Sequence, residues 1–226
     1  MLVQIPKVLN AEQVQQFRKE LEIVQWSDGR GSAGYLSAQV KQNLQLPDDH
    51  PLAIKLGEII LKMLAANEVF VAAALPLKIL PPQFNCYGLK QTYGRHIDGA
   101  IRSIHGTPHR IRTDLSATLF LSDPATYEGG ELMIDDTFGP RQVKLAAGDM
   151  VVYSGTSVHS VLPVTSGIRL ASFFWIQSLV RDDQKRTLLL ELDQSIQKVA
   201  TDMPGKSTVT DLAGIYHNLL RMWADT

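Results

Sequence analysis

Apolar residues recur at helical spacing near both ends of the chain and alternate with polar ones through its middle. Asn10 opens the first helical stretch. Val14, Phe17, Leu21 and Val24 then fall on one face, and Gln13 stands where it completes a capping box with Asn10. A second helix is predicted from Pro51 to about Asn67, with Asp49 as its cap and Pro51 in its first turn. Leu52, Leu56, Ile59, Ile60, Met63 and Leu64 supply its buried stripe. Residues 1–75 therefore read as a helical region packed on a core that follows.

The period changes to two from about residue 69. Val69, Phe70 and Val71 open a run of short segments rich in β-branched and aromatic residues: 83–87, 115–121, 131–134, 143–145, 150–153, 158–164 and 169–176. Gly129-Gly130, Gly139-Pro140, Gly148-Asp149 and Ser166-Gly167 mark the turns. About eight strands without intervening helices predict a double-stranded β-helix, or jelly roll, over residues 76–180. Beyond it the helical period returns. Leu189, Leu192, Ile196 and Val199 make one stripe and Leu212, Ile215, Leu219 and Trp223 another, broken by Met203-Pro204-Gly205-Lys206. The expected fold is mainly β with flanking helices and a C-terminal helical hairpin over 181–226. That hairpin is either a homo-oligomer face or a lid on the outer sheet.

Charge and composition narrow the function. The chain has 226 residues, 22 basic and 23 acidic, for a net charge of −1, so bulk electrostatics gives no reason to expect nucleic acid or an anionic membrane as partner. A single cysteine, Cys86, precludes an intrachain disulfide and suggests a reducing, cytoplasmic setting. No run of about 18 apolar residues is present to span a bilayer.

Candidate chemistry begins at Tyr93-Gly94-Arg95-His96-Ile97-Asp98. In an extended strand His96 and Asp98 point the same way, so an imidazole and a carboxylate can converge on one cation. A third ligand must come from elsewhere, and His159 lies in a later predicted strand. Two histidines and one carboxylate on one face of a metal form the ligand set of non-haem Fe(II) oxygenases. Arg169 follows ten residues on. With a turn at Ser166-Gly167 its strand is expected to run back beside that of His159, placing Arg169 in the same cavity. A buried guanidinium there calls for an anion, and a dicarboxylate supplies one.

These residues, with Asp28-Gly29-Arg30, Val40-Lys41, Arg112-Thr113-Asp114, Glu128-Gly129-Gly130-Glu131, Ala147-Gly148-Asp149 and Trp175, make the chain resemble the Fe(II)- and 2-oxoglutarate-dependent dioxygenases. Within them it is similar to the bacterial PKHD-type (prolyl and lysyl hydroxylase-like) hydroxylases over nearly its whole length. The resemblance implies His96, Asp98 and His159 as Fe(II) ligands and Arg169 as the anchor of 2-oxoglutarate. It implies O2 and ascorbate as further requirements, and hydroxylation of a peptide or small molecule with release of succinate and CO2. Related halogenases carry a small residue at the position of Asp98, so the aspartate favours hydroxylation. The alternatives are a non-enzymatic barrel that senses a metal or dicarboxylate and binds a partner, and a zinc hydrolase on a related barrel.

Other positions carry two readings each. Tyr87 is a candidate hydrogen-bond donor to 2-oxoglutarate or an ordinary core tyrosine. Thr118 and Phe120 share a strand face and either line the pocket or simply pack. Gly29-Arg30-Gly31-Ser32-Ala33-Gly34 has the form G-x-G-x-x-G but follows a helix rather than a strand, so a loop near the active-site mouth suits it better than a dinucleotide site. Arg102, His105, His109, Arg110 and Arg112 make a basic loop, either solvated or a lid that meets an anionic part of the substrate.

Overall fold

The computed structural model describes residues 1–104, 106–136 and 139–225. Two antiparallel sheets face one another in it. The larger runs in the order Leu2–Ile5, Met150–Ser154, Leu115–Phe120, Arg169–Ser178, Gln83–Tyr87, Leu44–Gln45, Ser27–Asp28, and Pro76–Ile79 pairs with the far end of Arg169–Ser178. The smaller runs Gly139–Val143, Leu132–Asp136, His159–Val161, Thr92–His96, Lys41–Gln42. Two hairpin-like pairs complete the β structure: Tyr127–Gly129 with Val164–Gly167, and Ile101–Ser103 with Arg110–Arg112. This is the expected jelly roll with flanking helices.

Strand alternation sorts side chains between two cores. Along Arg169–Ser178, Leu170, Phe174 and Ile176 join Phe84, Leu115 and Leu119 on the outer face of the larger sheet. Helix α1 (Ala11–Glu22) covers that face with Val14, Phe17 and Leu21. Its start is fixed by the predicted capping box: Gln13 N donates to Asn10 Oδ1 and Asn10 N donates to Gln13 Oε1, both at 2.9 Å. Each of those three buried side chains contributes about 1.5–3 kcal/mol of transfer free energy, and Phe17→Ala is the change that would loosen the helix most. On the inner face Tyr87, Phe120, Val151 and Tyr153 meet Leu132, Ile134, Val161 and Val164 of the smaller sheet. The open end of this inner layer becomes the active-site cavity.

Several local expectations are corrected. The N-terminal 75 residues are not wholly helical: Leu2–Ile5 pairs with Met150–Ser154, and three two-residue strands join the sheets. Between them lies the short helix α2 (Tyr35–Ala38). Helix α3 (Pro51–Ala65) is capped by His50, whose Nδ1 accepts from Leu52 N at 3.1 Å, and not by Asp49. Val69–Val71 is not a strand but part of helix α4 (Glu68–Ala74). Asn67 Oδ1 accepts from Phe70 N at 2.9 Å, and this cap together with burial of Phe70, Ala73 and Ala74 overrides the β-propensity of the two valines.

Helices α5 (Asp183–Asp202) and α6 (Ser207–Trp223) form the expected hairpin. Leu189 packs with Leu75 and Val180, and Tyr216, Leu219 and Trp223 close over them. The hairpin thus stands beside the end of the larger sheet, away from the cavity. Among the described residues no helix is long and apolar enough to cross a membrane.

Candidate active site

The cavity between the sheets holds every predicted site residue. His96 ends its strand, and Asp98 lies two residues beyond it rather than within it. His159 sits directly opposite His96 in the sheet register. That pairing, and not sequence spacing, delivers the third ligand. Donor atoms of His96, Asp98 and His159 all lie within 4.8 Å of one another, a spacing that one cation can bridge. His96 Nε2 is 4.0 Å from Asp98 Oδ1, and His159 Nε2 is 3.7 Å from Asp98 Oδ2.

The surroundings prepare these groups as ligands. His96 Nδ1 donates to Gly94 O at 2.8 Å and His159 Nδ1 donates to Ser157 O at 3.1 Å, since a carbonyl can only accept. Each imidazole is thereby oriented with Nε2 towards the other two ligands, and its neutral tautomer carries the lone pair there. Burial, then the adjacent His159 ring, push His96 down to about 4, so it is neutral at neutral pH. Burial would raise the Asp98 carboxyl. The His159 imidazole and hydrogen bonds from Trp175 and Ser116 outweigh it and hold the pKa below the ordinary value. Asp98 Oδ2 accepts from Ser116 Oγ at 2.7 Å and Trp175 Nε1 at 2.9 Å, which orients the carboxylate. Tyr93 stacks on His96 with centroids 3.6 Å apart, and Tyr153 meets His159 edge-on at 5.2 Å. Two imidazoles and an ionised, positioned carboxylate suit a divalent metal such as Fe(II).

Arg169 reaches the same cavity by a route the sequence misjudged. Its strand does not run beside that of His159. The predicted 158–164 strand breaks at Leu162-Pro163, Val164–Gly167 pairs with Tyr127–Gly129, and the chain then crosses into the opposite sheet. Arg169 therefore faces the histidines from across the barrel. It is 1% exposed, and its Nε and Nη1 have no hydrogen-bond partner. Its Cζ lies 5.3 Å from the ring centroids of both Tyr87 and Phe120. Room for its stem is made by Gly130, at φ +68°, where a Cβ would stand 3.1 Å from Arg169 Cδ. An almost fully buried cation with two unanswered donors fits one end of a dicarboxylate.

Tyr87 pairs directly with Arg169 across neighbouring strands and is 1% exposed; burial pushes its phenol up to about 12, so it is a neutral hydroxyl donor. Thr118 lines the cavity, whereas Phe120 packs against Arg169. Ser32 of the Gly-rich segment also reaches the cavity wall, so that segment is a loop at the site and not a dinucleotide cradle. The basic loop is in fact the Ile101–Ser103 and Arg110–Arg112 hairpin; Arg102 lies over Trp175 at 3.6 Å, and Arg112 pairs with Asp114. His105 lies outside the described residues. The sequence alone gives Ser116 and Trp175 no positioning role. Strand parity was the available signal, because Ser116 shares a face with Thr118 and Trp175 shares one with Arg169.

Known proteins agree with this geometry. Residues 82–177 match the 2OG-Fe(II) oxygenase superfamily, and residues 183–225 match the PKHD-type hydroxylase C-terminal domain. A PKHD-type hydroxylase of Saccharophagus degradans is 56% identical over 226 residues, all of both chains. The chain belongs to the PKHD-type hydroxylases. PKHD-type hydroxylase PiuC of Pseudomonas aeruginosa is likewise 56% identical over 225 residues, covering 100% of each. As a PKHD-type hydroxylase it is an enzyme of the 2OG-Fe(II) oxygenase superfamily, which displaces the sensing-barrel and zinc-hydrolase alternatives. Solved structures share the fold. A prolyl-4-hydroxylase of Pseudomonas putida superposes with a TM-score of 0.53 at 21% identity, over 78% of this chain and 92% of that one. HygX of Streptomyces hygroscopicus, solved with nickel, 2-oxoglutarate and hygromycin B bound, gives 0.55 at 16% identity, over 79% and 84%.

Proposed function

We propose that this PKHD-type hydroxylase binds Fe(II) through His96, Asp98 and His159, anchors 2-oxoglutarate on Arg169, and hydroxylates a peptide or small-molecule substrate. The observation that carries the reading is Arg169: a cation 1% exposed, with two unanswered donors, in the same cavity as a His-Asp-His cluster. The iron, when bound, supplies the redox chemistry by which one O2 and one 2-oxoglutarate hydroxylate one substrate C–H bond and leave succinate and CO2.

The chain's own residues do the rest. Arg169 neutralises the distal carboxylate of the oxo acid, and the neutral Tyr87 hydroxyl donates to it. Such a charge-assisted bond is worth about 1.5–3 kcal/mol, or roughly 10- to 150-fold in affinity. Trp175 and Ser116 fix the Asp98 carboxylate, while the backbone carbonyls of Gly94 and Ser157, bonded to Nδ1, hold both rings with Nε2 turned towards the metal position. The aromatic wall excludes water from the reacting centre. Ascorbate, in this reading, restores ferrous iron after unproductive turnovers, and a reducing cytoplasm suits both the metal and the Cys86 thiol.

The test is succinate production from 2-oxoglutarate under air with Fe(II). One succinate per CO2, dependent on O2 and lost in Asp98→Ala, is expected. Succinate formation undiminished in Asp98→Ala would refute the ligand assignment.

A further inference from the structure

Among the described residues two cations in the cavity wall, Lys41 and Arg102, form no ion pair, although Asp98 and Asp48 act on both at longer range. Lys41 is 3% exposed, and its Nζ donates only to neutral oxygens, Ser32 Oγ at 2.7 Å and Gln45 Oε1 at 2.9 Å. Gln45 in turn bonds Gln83, so this chain of partners carries no negative charge. Arg102 lies face-on over Trp175, its Cζ 3.6 Å from the ring centroid, and its buried Nε has no hydrogen-bond partner. Among the described residues neither cation forms an ion pair. Burial first, and Arg102 second, pull Lys41 down to about 8, and Asp98, Asp48 and Asp28 only partly offset this. Unpaired buried charge is expensive and calls for a counter-ion.

Their position separates this pair from Arg169. Arg169, Phe173 and Trp175 all point inward from one strand, and six residues of strand span about 20 Å. Lys41 Nζ lies 5.8 Å from the Phe173 ring, and Arg102 covers Trp175, whose Nε1 bonds Asp98. The two cations thus stand at the metal-ligand end of the cavity, with Arg169 at the other. There the cavity, about 60 Å³, opens into a groove of about 770 Å³ that shares His96, Asp98 and Arg102 with it. Tyr35, Leu36, Ile97 and Ile101 line this groove and are 83%, 75%, 53% and 57% exposed. Apolar side chains left open beside a catalytic cluster mark a surface for a hydrophobic body.

We infer that Lys41 and Arg102 form a second anion subsite that holds a carboxylate of the primary substrate beside the His-Asp-His cluster, with the apolar groove taking the substrate's hydrophobic part. The inference rests on the function proposed above and names its substrate class. A planar guanidinium stacked on an indole keeps its in-plane donors free for a carboxylate. The same chemistry could serve the carboxylate of 2-oxoglutarate nearest the metal, and the test separates the two sources.

The full-length protein loaded with Ni(II) and 2-oxoglutarate is titrated calorimetrically with three acids and their neutral carboxamides: phenylacetate, 3-phenylpropionate and N-acetylphenylalanine. At least one acid is expected to bind about tenfold or more tightly than its amide, the size of one charge-assisted hydrogen bond. In Lys41→Met and in Arg102→Met, made separately in case one fails to fold, this preference collapses while the 2-oxoglutarate dissociation constant stays within about twofold. Equal binding of acid and amide in all three pairs, or no binding by any, overturns the inference. So does a roughly tenfold loss of 2-oxoglutarate affinity in the variants, which assigns the cations to the co-substrate. Failure of the unaltered protein to bind 2-oxoglutarate at all would instead sink the underlying functional reading.

Discussion

Replacing Arg169 by methionine separates a ligand anchor from a structural cation. The side chain is 1% exposed, its Nε and Nη1 are unpartnered, and its nearest aromatic contacts are 5.3 Å from Cζ. Loss of one charge-assisted bond to a carboxylate, about 1.5–3 kcal/mol, weakens 2-oxoglutarate roughly 10- to 150-fold. At a co-substrate concentration of about 100 times the native dissociation constant, binding stabilises the native protein by about 2.7 kcal/mol. After a hundredfold weakening the same concentration gives about 0.4 kcal/mol. For a chain of this length 1 kcal/mol moves Tm by about 2–4 °C. Thermal unfolding with Ni(II) present should therefore show a 2-oxoglutarate shift of roughly 5–11 °C in the native protein and about 1–2 °C in Arg169→Met. Without ligand the variant should be no less stable, because the lost cation–π contacts, about 1–2 kcal/mol, are offset by removal of an uncompensated buried charge. An undiminished shift would move the anchor elsewhere. A large loss of stability without ligand would make Arg169 structural.

Two further outcomes are expected. Trp175→Phe removes the 2.9 Å bond to Asp98 and leaves the one from Ser116, so metal affinity measured by chelator competition should fall about 10- to 100-fold with the fold intact. The metal-free protein should lose stability as pH falls from about 6.5 towards about 4, because His96 takes up its proton at about 4 when folded and near its ordinary 6.5 when unfolded. In that window the unfolded chain binds more protons, so stability rises with pH. Denaturant titrations at several pH values should show a flatter dependence in His96→Gln, and an unchanged slope would contradict the burial argument.

The chemistry was more legible in the sequence than the scaffold that delivers it. His96 and Asp98 stand out because two residues of extended chain carry both side chains to one side. His159 was visible only as a histidine in a later strand, and its approach depends on a cross-strand register that spacing cannot reveal. Arg169 was placed in the right cavity through the wrong sheet, because a turn at Gly167 reads as a hairpin whether the chain returns to its own sheet or crosses over. Lys41 stands out only as part of the family resemblance and not as a cavity residue, since a two-residue strand has no periodicity and a lysine is ordinarily exposed. Val69 and Val71 misled for the converse reason. Their β-propensity is local, while the Asn67 cap and the packing of Phe70 decide the helix.

Anaerobic iron binding is the most direct measurement of whether the three ligands and the anchor work as one site. Titration with Fe(II) is expected to saturate at about one iron per chain, and addition of 2-oxoglutarate to raise a weak visible charge-transfer band. Iron that fails to bind, or binds with no spectral response to 2-oxoglutarate, would contradict it.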